Sequence, residues 1–154
     1  MQKEFNDTGL CIPGKHYMAD ISRKLEAALR LVEKGKYFTV SRPRQFGKTT
    51  TLSLLAGKLN ALDNYLALSI SFEGIGDAPF ANEGAFCKTF LKIIARTSQF
   101  TAPEIAAVFE DASQQVHDFE GLSDFISRYI FRTGNRAVLM IDEVDKSSGN
   151  QIFL

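Results

Sequence analysis

The residues best equipped for chemistry lie in Ser41-Arg42-Pro43-Arg44-Gln45-Phe46-Gly47-Lys48-Thr49-Thr50. A phosphate chain is held by converging backbone N–H donors, the positive end of a helix, a flexible cation and a hydroxyl for magnesium. Gly47, Lys48 and Thr49 supply these in the required order. Gly47 lets the backbone come close, Lys48 reaches the β and γ oxygens, and the Thr49 hydroxyl ligates Mg²⁺. The amides of Gln45, Phe46, Gly47, Lys48 and Thr49 would cradle the phosphates, with Thr50 completing the turn. Against the general pattern G-x-x-x-x-G-K-[ST], the first glycine position holds Arg42. Gly-Lys-Ser/Thr alone recurs by chance in roughly one chain in ten of this length, so the flanking elements must carry the assignment.

Those flanks are suitable. Lys36-Tyr37-Phe38-Thr39-Val40 is aromatic and β-branched, which predicts a buried strand over 36–40. Leu52, Leu55 and Leu59 fall on one face of a predicted helix over 50–60. Far along the chain, Arg136-Ala137-Val138-Leu139-Met140-Ile141 runs without a break into Asp142 and Glu143. The run suits a central parallel strand covered on both faces, with the two carboxylates at its C-terminal edge, where open α/β sheets bind ligands. Asp142 is then positioned to hold the magnesium through water, and Glu143 to take a proton from the water attacking the γ-phosphate. An ordinary αβ turn and a strand closed by an acidic turn are the plainer readings of the two segments. Their occurrence in this order, each on a suitable element, is much harder to obtain by accident.

Arg42-Pro43-Arg44-Gln45-Phe46-Gly47-Lys48-Thr49, followed by Leu139-Met140-Ile141-Asp142-Glu143-Val144-Asp145-Lys146, resembles the predicted AAA-ATPase-like family of prokaryotes, related to the archaeal-type ATPases. The lead-in Phe5-Asn6-Asp7-Thr8-Gly9 and Ile12-Pro13-Gly14-Lys15-His16-Tyr17 is similar to that family's as well. The resemblance implies ATP as nucleotide, Arg-Pro-Arg in place of the first loop glycine, and a longer protein with further strands and often a C-terminal nuclease-like domain. It also implies that a later strand inserts between the phosphate-loop strand and the acidic strand, so this sequence is expected to be an N-terminal fragment. Arg44 is open to a phosphate contact, a salt bridge to Asp145 or a surface position. Asp145 is equally open as a residue behind the metal or as part of an acidic turn.

The remaining elements are expected to position these groups. Residues 1–17 lack a period and should form a strap with a short extended piece near His16-Tyr17-Met18. Asp20 is placed to cap a helix over 21–34 with Ile21, Leu25, Leu29 and Val32 on its apolar stripe, ended by Gly35. Residues 65–73 alternate Leu66, Leu68, Ile70 and Phe72 with small or polar residues, which predicts a strand nearer the sheet edge than the acidic one. A loop follows over 73–79. A helix is predicted over 83–97 with Phe86, Phe90, Ile93 and Ile94 inward. A capping box Thr101-Ala102-Pro103-Glu104 should open another through Phe109, and a last helix should span 120–131. The aromatic residues on these helices stand at core spacing without interleaved basic residues, unlike a base-stacking platform.

The order helix, strand, loop, helix, strand, helices, strand predicts an α/β fold: a three-layer parallel sheet of the P-loop NTPase type, incomplete at the C-terminus. The whole of 1–154 is expected to belong to one ATPase domain, with a strap over 1–19 and a Walker A to Walker B core over 20–154. With 154 residues and 45% hydrophobic content, a domain-sized core is within reach. Lys plus Arg and Asp plus Glu balance at 18 each, so no charge excess indicates nucleic acid or membrane as a partner of this segment. Nucleic acid stays open for any domain beyond it, and so does the number of copies in an assembly. No apolar run reaches the roughly 20 residues of a membrane span. With no secretory core at the N-terminus either, a cytoplasmic location is expected. Cys11 and Cys87 read as reduced thiols, and His16 and His117 stand apart from any metal-ligand spacing. The expected activity is Mg²⁺-dependent ATP hydrolysis with Lys48 and Glu143 catalytic. The alternative is a nucleotide-dependent switch that binds ATP and scarcely hydrolyses it.

Overall fold

The computed structural model describes residues 3–5, 11–12, 14–17, 19–41 and 47–144. The chain divides into two compact units, Met1–Leu62 and Asp63–Leu154.

In the first unit, a parallel bridge joins Glu4 to His16, and the rings of Phe5 and Tyr17 meet beside it, tilted by 34° with centres 4.9 Å apart. Helix α1 (Ser22–Glu33) starts after Asp20, whose carboxylate accepts the Ser22 N–H at 2.9 Å. That bond holds the Asp20 carboxyl below its ordinary range. Gly35, at φ 62°, ends the helix: its N–H reaches the Val32 carbonyl and that of Lys36 reaches Leu31. This pairing is the Schellman arrangement that needs a left-handed residue just past the helix. Helix α2 (Lys48–Asn60) touches α1, and Leu25, Ala28 and Val32 of α1 and Leu55 and Leu59 of α2 are buried.

The second unit opens with β1 (Tyr65–Ser71), which pairs in parallel with β2 (Arg136–Asp142), Tyr65 opposite Arg136 and Ser71 opposite Asp142. Arg136 latches the start of the pair. Its N–H bonds the Asn64 carbonyl, its Nη1 the Tyr65 hydroxyl at 2.7 Å, and its guanidinium lies 5.0 Å from the Tyr65 ring centre. After a 3-10 turn (Ala78–Phe80) comes α3 (Glu83–Ser98), capped by the Asn82 side chain on the Ala85 N–H. Its apolar face buries Phe86, Cys87, Phe90, Leu91, Ile93 and Ile94. It packs both on β1 and, more extensively, on α4 (Pro103–Gln115). Helix α5 (Phe119–Thr133) is capped by Asp118 on the Gly121 N–H and ends at Gly134, φ 69°. Each large apolar side chain of α3 contributes about 1.5–3 kcal/mol by leaving water, against about 0.5–1 kcal/mol for an exposed cation–π contact such as the latch. The helix face therefore holds this unit together, and the latch sets its register.

The three-layer parallel sheet is not what forms. The described residues are mostly helical and carry one sheet of two strands. Residues 36–40 are not a strand: Tyr37 is fully exposed and no strand pairs with this segment among the described residues. Its β-rich composition needs a half-buried surface and a neighbour before it is expressed as a strand. Nor is β2 covered on both faces, since only Met140 is buried along it and Leu139 is 43% exposed. In β1, Ala67 and Ile70 are the buried positions, so its burial does not follow the period-two pattern of its side chains. Both strands are edges among the described residues, so β1 is no nearer an edge than β2. Thr101 does not cap α4. Its N–H bonds the Ser98 carbonyl within the preceding turn, and Ala102 takes the cap position with Pro103 at the first helical residue, where a missing N–H costs nothing.

Candidate functional site

The first group of candidate residues surrounds the start of α2. Gly47 occupies the cap position in the left-handed region, φ 73° and ψ 29°, with no side chain capping the helix there. A left-handed residue followed by helical ones turns successive N–H groups towards the same side, which makes an anion-binding concavity. The Gly47 carbonyl is committed inward, accepting both the N–H of Thr51 at 2.9 Å and its hydroxyl at 2.8 Å. The amides of Lys48, Thr49 and Thr50 precede the first intrahelical bond, as in any helix. Lys48 is half-buried and Thr49 exposed. Thr50 is buried, and its hydroxyl accepts the Cys11 N–H at 3.3 Å. That bond ties the N-terminal strap to the candidate phosphate turn. At the next residue, the Ile12 N–H bonds His16 Nδ1 at 3.0 Å. Arg42, Arg44, Gln45, Phe46 and Asp145 lie outside the described residues.

The second group is at the C-terminal end of the β1–β2 pair. The Asp142 carbonyl accepts the Phe72 N–H at 3.1 Å, which carries the ladder one step past β1. The Asp142 carboxylate accepts the N–H of Glu143 at 3.0 Å. Glu143 is half-buried and adopts φ 54°. A non-glycine residue in the left-handed region is uncommon and costs about 1–2 kcal/mol, so the backbone here is held against its preference. Ser71 stands opposite Asp142, and its hydroxyl accepts the Glu73 N–H at 3.1 Å. Glu73 and Asp77 are exposed, as loop carboxylates commonly are.

Gly47, Lys48, Thr49 and Thr50 therefore form one continuous turn, and Asp142 and Glu143 share one strand end. The two groups belong to different compact units. Among the described residues, no three His, Cys, Asp or Glu side chains are grouped as a metal site. Magnesium in phosphate chemistry is commonly held by only one or two protein groups plus the phosphates. The bond from Cys11 to Thr50 and the backbone of Glu143 had no signal in the sequence, because a non-local backbone donor and a single dihedral leave no periodic trace. No helix among the described residues is long and apolar enough to cross a membrane. No family model matches the chain, and neither a curated protein nor a solved structure matches it.

Proposed function

We propose that this chain binds ATP with Mg²⁺ through the turn at 47–50 and hydrolyses its β–γ phosphoanhydride. The observation that carries the reading is Gly47, a left-handed residue opening a helix whose first two side chains are an amine and a hydroxyl. In this scheme the first-turn amides and Lys48 hold the phosphate oxygens. The Thr49 hydroxyl would ligate Mg²⁺, the Asp142 carboxylate would hold it through water, and Glu143 would accept the proton of the attacking water. The water oxygen bonds to the γ-phosphorus as the bridging oxygen leaves with ADP. Cytoplasmic residence suits this chemistry, and neither Cys11 nor Cys87 is in a disulfide.

A switch that binds ATP and hydrolyses it slowly is favoured by one separate observation, the bond from the Cys11 N–H to Thr50. Occupancy of the first turn of α2 would be felt directly by the strap. Equilibrium dialysis with labelled ATP and Mg²⁺, run beside a phosphate-release assay, separates the two. Binding with turnover supports the enzyme, and binding without it the switch. Absence of saturable binding to the parent, or undiminished binding by Lys48→Ala, removes both.

A further inference from the structure

Helices α4 and α5 are consecutive, each packs on α3, and they meet where the Phe109 ring of α4 stands edge-on to the rings of Phe125 and Tyr129 of α5. Between them lies a cavity of about 680 Å³, within the 300–1,000 Å³ range of small-molecule sites. Its apolar lining includes Ala112 and Val116, both buried, half-buried Phe125, and Val108 at 43% exposure. Two cations, Arg128 and Arg132, line it from one face of α5, one turn apart. Arg128 spends its Nε on the Asp124 carbonyl at 3.2 Å, which leaves its terminal nitrogens to other partners. The Arg132 side chain has no hydrogen bond or ion pair among the described residues.

The acids at the same cavity are differently placed. Asp118 caps α5 through the Gly121 N–H at 2.7 Å, and Asp111 accepts from the Gln115 side chain at 2.8 Å. Along α5, Arg128 lies about 15 Å from Asp118 at 1.5 Å per residue. The cationic end is thus not neutralised by the helix's own cap, and planar guanidinium donors suit carboxylate or phosphate oxygens. We infer that this cleft binds a small organic anion, a carboxylate or phosphate monoester on a flat apolar body. Arg128 and Arg132 take its charge, and Val108, Val116 and Phe125 take its body. Nothing in this inference depends on nucleotide binding at α2.

The test is a titration of the full chain, followed by amide chemical shifts, with 1-naphthyl phosphate, 1-naphthoate and uncharged 1-naphthol. Saturable shifts are expected at Val108, Val116, Gly121 and Phe125, with either anion or both binding at least tenfold more tightly than naphthol. The double variant Arg128→Gln/Arg132→Gln changes two exposed side chains and should weaken the anion tenfold or more without altering the far-UV circular dichroism. Val108→Asp, on the opposite wall, should weaken it as well, and Lys48→Ala should leave it unchanged. The stronger anion identifies the headgroup. Equal binding of naphthol and the anions, the lack of saturable shifts at these four residues, or parental affinity in the double variant would overturn the inference.

Discussion

The carboxylate of Glu83, the first residue of α3, accepts the backbone N–H of Phe119, the first residue of α5. One side chain thereby serves the ends of two helices. It belongs to the favourable negative charge at its own helix start, and it satisfies a donor that the other helix cannot satisfy internally. Immediately beside it, a Cβ built on Gly84 would stand 2.9 Å from the His117 carbonyl oxygen. The two helix starts are therefore as close as backbone allows. Glu83→Ala is expected to destabilise the protein by about 1 kcal/mol, the usual effect of losing a cap, and Gly84→Ala by about 1–3 kcal/mol through forced separation. Urea unfolding followed by circular dichroism measures both, and a neutral Gly84→Ala would show that the approach is looser than described.

Two glycines of α2 should respond in opposite directions. Among the described residues, a Cβ at either Gly47 or Gly57 meets nothing within 4 Å, so none of them opposes either substitution by packing. Gly57 is inside the helix with ordinary backbone angles, and Gly57→Ala should stabilise by about 0.5–1 kcal/mol. Gly47 sits at φ 73°, and Gly47→Ala should destabilise by about 1–2 kcal/mol. If the turn holds phosphate, Gly47→Ala should also reduce the rise in melting temperature produced by ATP and Mg²⁺, while Gly57→Ala should preserve it.

At Glu143 the expected signature is a conflict between stability and activity. Glycine relieves the left-handed strain at φ 54°, so Glu143→Gly should be at least as stable as the parent. Glu143→Gln retains the strain and should keep ATP binding while slowing phosphate release by about 10²–10⁴. Parental turnover in the Gln variant would dismiss Glu143 as the base.

Cys87 gives the alkaline limb of stability. The side chain is fully buried, and burial first, then the charges of Glu83 and Asp118, push its thiol above the ordinary range. Burial also pushes Tyr129 up, with help from Glu104. The folded state keeps both protons longer than the unfolded chain does. Their contribution is thus complete below the unfolded pKa values and lost as pH rises through the folded ones. Unfolding free energy should fall above roughly pH 8.5–9, and Cys87→Ala should flatten the first part of that fall. Glu83→Ala should speed reaction of Cys87 with a thiol reagent, since one of the charges opposing the thiolate is gone.

Sequence periodicity located most elements because burial follows it. Phe86, Phe90, Ile93 and Ile94 predict a helix over 83–97, and α3 runs Glu83–Ser98. The apolar stripe of α5 is equally plain, although its Asp118 cap lies two residues before the expected start. Helix α4 extends to Gln115, well past Phe109; apart from the small buried Ala112, residues 110–115 are polar and supply no large apolar repeat to mark the last turns. The failure at 36–40 has another cause. Strand formation depends on a partner, and Tyr37-Phe38-Thr39-Val40 contains nothing about which partner is present. For the candidate site, the order of residue types around Gly47 was legible, whereas the commitment of the Thr50 hydroxyl to Cys11 depends on chain folded 39 residues away.

The Arg136 to Tyr65 contact spans 71 positions of chain. Closing so long a loop is entropically unfavourable until something shortens it, and the helices between the strands can do so by forming local contacts first. Refolding should therefore be hierarchical, with amide protection appearing in α3 and α4 before it appears at 66–71 and 137–142 in pulse-labelled hydrogen exchange. Asp142 and Glu143, which sit at the far end of that late-closing pair, would acquire their geometry only in the final stage of folding.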